Sequence, residues 1–145
     1  MTVPLAWTAS ALLLLVAAIH VYWAAGGTWP ADDSESLARA VMGPTSAKMA
    51  PWWASLAVAG ALALGAVLVL GRVGAIDPGL PDLLIRAGVW VLAGVFLVRA
   101  VGGFVLSGVL RARKPDVFSR LDAAIYSPLC LAIAATCAIV ALSAQ

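Results

Sequence analysis

Four long apolar runs, nearly free of charged residues, constrain the fold of this chain more than any other feature of its sequence. A helix needs about 20 apolar residues to cross about 30 Å of hydrocarbon, and each run reaches that length. The predicted spans are residues 4–25, 52–71, 85–110 and 124–144. Since the runs lack the alternation of apolar and polar residues in a barrel strand, we predict an all-α fold, an integral membrane four-helix bundle.

The composition agrees with a single transmembrane domain over residues 1–145. Apolar residues make up 63% of the chain and charged residues 11%, whereas soluble domains carry roughly 25% charged residues. A net charge of +2 without a long basic run argues against nucleic-acid binding. The lipid bilayer is therefore the predicted partner, and an oligomer is left open.

The basic residues of the loops predict the orientation, because lysine and arginine favour the cytoplasmic side. The predicted loops are residues 26–51, 72–84 and 111–123. The first and third loops hold Arg39, Lys48, Arg111, Arg113, Lys114 and Arg120, against Arg72 and Arg86 on the other side. We therefore expect a multi-pass protein of a bacterial inner (cell) membrane with both termini outside. The first run lacks the basic start of a signal peptide, so we interpret it as a permanent helix.

Three local signals concern helix ends and helix packing. In the first loop, Asp33 or Ser34 could cap a short helix. Pro128 after Ser127 suits the start of a helix, although a helix that begins earlier and is kinked there fits equally. Small residues spaced four apart favour close helix packing in lipid, and they occur as Ala57, Ala61 and Gly65, as Gly103 and Ser107, and as Ala134 and Ala138.

Arg99 is the charged residue that interrupts the third run, about 18 Å from either end of that run. A central arginine costs roughly 2.5 to 3.5 kcal/mol on an insertion scale, so a partner is expected. Gly102 and Gly103 follow on the same helix face and would leave a groove beside the guanidinium. Arg99 is interpreted either as a structural ion pair or snorkelling side chain, or as an anchor for an anionic ligand or lipid headgroup, or as part of a proton or ion path.

Other polar residues are predicted near one end of the bundle. His20 ends the first span, next to the aromatic residues Tyr22 and Trp23, and Asp122 lies at a similar predicted depth. Asp122 could pair with His20, with Arg120 or with Arg99. The candidate binding residues are therefore His20, Tyr22, Trp23, Arg99, Gly102, Gly103, Asp122 and Tyr126.

The sequence gives little support to an enzyme, because it contains no phosphate-binding loop and no hydrolase or metalloprotease motif. A single histidine cannot form a bis-histidine haem site or a standard zinc site, so we predict no metal, cofactor or catalytic residue. The preferred hypothesis is a binding or accessory protein with a small polar pocket in the cytoplasmic half, and with an anionic lipid or small anionic ligand as partner. The alternatives are a proton or ion pathway, a small membrane enzyme acting on a lipid-soluble or anionic substrate, and a purely structural pair of Arg99 and Asp122.

Several segments together resemble the DUF3995 family of small bacterial membrane proteins without an assigned function. The resemblance lies in residues 20–27 (HVYWAAGG), 99–104 (RAVGGF), 118–122 (FSRLD) and 126–131 (YSPLCL). It covers nearly the whole chain, apart from a looser fit in the first loop. The resemblance implies a four-helix membrane protein and supplies no reaction.

Overall fold

The computed structural model describes the backbone of residues 1–113 and 116–143, and the side chains of 1–109 and 116–143. Its long helices are α1 (Thr2–Ala24), α3 (Trp52–Arg72), α4 (Asp82–Arg113) and a last helix built from α5 (Val117–Leu121), a π-helical turn (Asp122–Tyr126) and α6 (Ser127–Ser143). A short helix, α2 (Ser34–Met42), lies in the first loop. The all-helical prediction is confirmed, and four helices are long and apolar enough to span a membrane.

The helices at the third loop extend beyond the predicted spans. α4 begins at Asp82 and reaches Arg113, and the last helix begins at Val117 and not at residue 124. A charged residue ends an apolar run in the sequence, but it does not end a helix. Asp116 caps the start of α5 by accepting a hydrogen bond from the Ser119 backbone N–H at 2.7 Å. The predicted loop 111–123 is shorter in consequence. The side chains of Arg111 and Arg113, together with Lys114 and residue 144, lie outside the described residues.

Small side chains let the helices pack closely, mainly as two pairs, α1 with α3 and α4 with α6. Ser10 on α1 donates a hydrogen bond to the Ala66 carbonyl of α3 at 3.2 Å. The predicted stripe on α3 is wrong, because Ala57 and Ala61 are exposed and only Gly65 is buried. Small residues occur on every face of this alanine-rich helix, so their spacing alone cannot select the packed face. The buried face contains Ser55, Ala59, Leu62, Gly65, Ala66, Val69 and Leu70.

The register between α3 and α4 fixes how far along the bundle each residue lies. The two helices run antiparallel, with Gly88 against Leu68 and Gly65 against Leu92. α3 contains 21 residues and is about 32 Å long, from Trp52 at one end, here called the Trp52 end, to Arg72 at the other, the Arg72 end. Arg72 contacts Asp82, so the start of α4 is level with the Arg72 end. Gly103 lies about 32 Å further along α4 from Asp82. Gly103 is therefore level with the Trp52 end.

The first loop folds onto the Trp52 end. Asp33 caps α2 by accepting a hydrogen bond from the Ser36 backbone N–H at 2.7 Å, which confirms one of the two predicted caps. α2 buries Leu37 and Ala38 and packs against α5. The start of the last helix is therefore held between α4 and the first loop.

Candidate functional site

The centre of the candidate site is an ion pair between α4 and the π-helical turn. An Nη atom of Arg99 donates to Oδ1 of Asp122 at 2.7 Å. The second carboxylate oxygen, Oδ2, accepts from the hydroxyls of Ser107 at 2.7 Å and of Ser127 at 3.0 Å. The Asp122 side chain is 0% exposed. These four residues, here called the Arg99 network, give the buried carboxylate three donors, one of them a cation.

The α4 half of the network follows from helical spacing. Arg99, Gly103 and Ser107 are each four residues apart, so they lie on one face of the helix, the face toward Asp122. A Cβ atom at position 103 would clash with the Ser127 hydroxyl and would lie 2.5 Å from an Nη atom of Arg99 and 2.7 Å from Oδ2 of Asp122. Gly103 therefore leaves the space that the ion pair fills. The short distance between this position and the Nη atom also shows that the Arg99 side chain extends along α4 toward the Trp52 end.

The π-helical turn supplies the other half of the network. The Ser127 backbone N–H donates to the Asp122 carbonyl five residues earlier, one residue further than in an α-helix. This geometry brings the side chains of Asp122 and Ser127 together. Pro128 has no backbone N–H to donate, and such residues commonly accompany a distortion of the helix. The helix passes through Pro128, so Ser127 does not cap a helix start as one of the two sequence interpretations proposed.

The outer side of Arg99 is open. Its side chain is 42% exposed although its partner is fully buried, and a Cβ atom at Gly102 would meet nothing within 4 Å. Among the described residues, the hydrogen bond to Asp122 is the only one that the Arg99 side chain makes. A guanidinium carries further N–H donors in a planar fork, and an acceptor on the exposed side of Arg99 could bond to those that Asp122 leaves free.

The remaining predicted residues lie at the end of α1 and at the end of the π-helical turn. At the end of α1, here called the aromatic cluster, Nδ1 of His20 donates a hydrogen bond to the Val16 carbonyl at 2.8 Å, and its ring lies 5.1 Å from that of Trp23. Trp23 donates to the Trp29 carbonyl at 2.9 Å, and the Tyr22 hydroxyl accepts from the Trp29 backbone N–H at 3.4 Å. Tyr126 is partly buried at the end of the π-helical turn.

The sequence contained a signal for one of the two serines that the site prediction missed. Ser107 lies four residues after Gly103 and eight after Arg99, so its place on the Arg99 face could have been read from helical spacing. Ser127 gave no such signal. In an α-helix, residues five apart point in different directions, and only the π-helical turn brings Ser127 to Asp122.

Two cavities lie away from the Arg99 network. A cleft of about 500 Å³ between the first loop and α5 is lined by Arg39, Asp116 and Phe118 among others. A shallower apolar groove of about 460 Å³ follows α1 below Trp29. Neither of these two cavities is lined by Arg99 or Asp122. Within the described residues, no group of His, Cys, Asp and Glu could hold a metal ion.

Comparison with known proteins identifies the family. The family model described as "Protein of unknown function (DUF3995)" matches residues 13–137, so the chain belongs to this family. The match includes the segments around His20, Arg99 and Asp122 and confirms the resemblance inferred from them. No curated protein and no solved structure matches the chain significantly.

Proposed function

We propose that this DUF3995 protein is a binding protein of the membrane, and that the exposed side of the Arg99 guanidinium holds an anionic ligand. The observation that carries the proposal is the asymmetry of the ion pair, in which Asp122 is 0% exposed and Arg99 is 42% exposed. In lipid, polar N–H groups without an acceptor are costly. Charge-assisted hydrogen bonds to a carboxylate or phosphate are the strongest contacts that a guanidinium makes.

Each residue of the network has a separate role in this proposal. Arg99 contacts the ligand. Asp122, Ser107 and Ser127 are positioning residues, because they fix one side of the guanidinium and leave the other free. Since Asp122 is fully buried and has three donors, the ligand need not compete with it. Gly103 keeps the network compact, and Gly102 keeps the outer side open.

The competing hypothesis is that the ion pair only specifies the fold, and the complete set of donors around Asp122 favours it. A double variant separates the two hypotheses. In Arg99→Met with Asp122→Asn, no unpaired charge is left buried, and the introduced amide can still bond to Ser107 and Ser127. We expect this variant to fold and to lose the anion site.

The experiment is thermal unfolding of the purified protein in an uncharged detergent, with phosphatidylglycerol or inorganic phosphate added. A ligand at about 100 times its Kd stabilises the folded state by about 2.7 kcal/mol. We expect at least one of these anions to raise the melting temperature of the natural protein and to have no effect on the double variant. Equal responses of the two proteins to every anion would leave only the structural role.

The cytoplasmic side is also part of the proposal. Arg39 and Lys48 of the first loop and Arg120 of α5 lie at the Trp52 end, and the positive-inside rule favours this end as cytoplasmic. The site would then open toward the inner leaflet. Reporter fusions at the N- and C-termini test this orientation in a bacterial cell membrane. A reporter that is active only in the cytoplasm should be inactive at both termini, and its activity at both termini would contradict the proposed orientation.

A further inference from the structure

We infer that the ligand of Arg99 is the phosphodiester of a membrane phospholipid, bound on the outer face of α4 at the Trp52 end. The inference rests on the proposed anion site and names its ligand class. It depends on three observations: the level of the guanidinium along the bundle, the apolar surface around it and the charge balance of the network.

The guanidinium lies near the edge of the hydrocarbon layer and not at its centre. The Arg99 backbone is about 25 Å from Asp82 along α4, and the side chain extends further, to the level of Gly103. α3 has the length of the hydrocarbon layer, and its Trp52 end is level with Gly103. Trp52 and Trp53 are both exposed there, as expected of aromatic residues at a membrane interface. Phospholipid phosphates lie just beyond this level.

The surface around Arg99 faces lipid. Val95 and Val98 precede it on the outer face of α4 and are 60% and 73% exposed, and Gly102 follows it with open space beside its backbone. Acyl chains can therefore lie along the two valines toward the bilayer centre, while the phosphate meets the guanidinium. An amphiphile can contact both the guanidinium and the exposed valines, whereas a free anion can contact only the guanidinium.

The charge balance favours a phosphodiester over a phosphate monoester. Asp122 neutralises Arg99 at 2.7 Å, so the pair carries no net charge. What it offers a ligand is a set of directional N–H donors. Such a site gains little from the second negative charge of a monoester, because repulsion by the carboxylate behind the guanidinium offsets much of the attraction. A diester supplies the acceptor oxygens with a single charge.

The test uses a substitution that covers the site without touching the network. A side chain at a helical position lies over the preceding turn, so the leucine of Gly102→Leu would cover the outer side of Arg99. Gly94→Leu is the matched control, since Gly94 is an exposed glycine of α4 that also has nothing within 4 Å of an added Cβ. Neither position contacts Asp122.

Binding is measured by native mass spectrometry of the full chain in detergent micelles. The probes are phosphatidylglycerol, phosphatidic acid and diacylglycerol with identical chains, and the water-soluble glycerol phosphate. Charge-assisted hydrogen bonds contribute enough for about a tenfold change in Kd or more. We expect Gly102→Leu to weaken phosphatidylglycerol binding at least about tenfold and Gly94→Leu to leave it unchanged, with diacylglycerol binding about tenfold more weakly than phosphatidylglycerol to the natural protein.

The other outcomes overturn the inference in distinguishable ways. Equal binding of diacylglycerol and phosphatidylglycerol would remove the phosphate contact. Phosphatidic acid binding tenfold more tightly than phosphatidylglycerol would overturn the phosphodiester assignment. If glycerol phosphate binds in a Gly102-dependent manner and the lipids do not, the anion site stands and its lipid ligand is wrong. If no probe responds to Gly102→Leu and none responds to the Arg99→Met, Asp122→Asn double variant, both proposals fail.

Discussion

The two ends of the bundle each hold an arginine–aspartate pair, and the two pairs are built in opposite ways. At the Arg72 end the cation is inside: the Arg72 side chain is 8% exposed and Asp82 is 77% exposed, at 3.3 Å. At the Trp52 end the anion is inside: Asp122 is 0% exposed and Arg99 is 42% exposed, at 2.7 Å. The first pair presents a carboxylate to its surroundings and the second presents a guanidinium.

The hydrogen bonds of the buried partners differ as well. Arg72 reaches the Ala141 carbonyl at 3.5 Å, and its Nε atom is buried without a partner among the described residues. Asp122 has three donors at 2.7 to 3.0 Å. A well-satisfied buried anion fixes the geometry of the cation outside it. Both pairs therefore tie helices together, but they expose opposite members to the surroundings.

The largest effect is expected from Arg99→Met. This change leaves the Asp122 carboxylate buried without a counter-charge, and breaking a buried pair in this way costs about 3 kcal/mol or more. Thermal unfolding in detergent should show the loss, and adding Asp122→Asn to the same chain should restore most of it. A single variant as stable as the natural protein would mean that water already solvates Asp122.

A smaller loss is expected from Gly103→Ala. The added Cβ would clash with the Ser127 hydroxyl and press on the ion pair, and overpacking of this kind costs about 1 to 3 kcal/mol. Gly102→Ala is the control on the neighbouring position. Its Cβ meets open space, and replacing glycine by alanine in a helix adds up to about 1 kcal/mol of stability. Equal unfolding temperatures for the two variants would contradict the close packing at Gly103.

At the opposite end, Arg72→Met tests the comparison directly, because it makes the same substitution as Arg99→Met. The remaining carboxylate of Asp82 is exposed and can be solvated by water. We expect a loss below about 1 kcal/mol, as for surface ion pairs, because the charge that is left behind is exposed. If Arg72→Met destabilises the protein as much as Arg99→Met in the same unfolding assay, the contrast between the two ends is wrong.

The smallest effect concerns pH at the Trp52 end. The hydrogen bond from the Ser36 backbone N–H holds the pKa of Asp33 below its ordinary value of 3.8. A lowered pKa means that the ionised cap stabilises α2 above pH 3.8 and that this contribution is lost as the pH falls through the folded-state value. Hydrogen exchange of the backbone amides of residues 34–42, corrected for its intrinsic pH dependence, should become faster as the pH falls through the pKa of Asp33 in the folded protein. Asp33→Asn keeps the acceptor without titrating, so it should remove the pH dependence.

The apolar runs were sufficient to predict the helical fold, because the length of a membrane span is set by the bilayer. Arg99 and its glycines were also visible, since a charge in an apolar run needs a partner. The sequence did not show that Asp122 pairs with Arg99 and not with His20 or Arg120. This pairing depends on the offset between α4 and the last helix, and that offset follows from a helix start at Val117 and a π-helical turn, neither of which has a periodic signal in the sequence.

The π-helical turn makes the identity of Arg99's partner sensitive to chain length. It takes up one residue more than regular α-helical geometry, which rotates everything from Ser127 onward by about 100° relative to α5. A homologue with a one-residue deletion between 122 and 126 would keep a regular helix and an unbroken hydrophobic pattern, yet it would turn its aspartate away from α4. In an alignment of such proteins, a single gap at this place would therefore mark the loss of the ion pair even where every residue of the network is conserved.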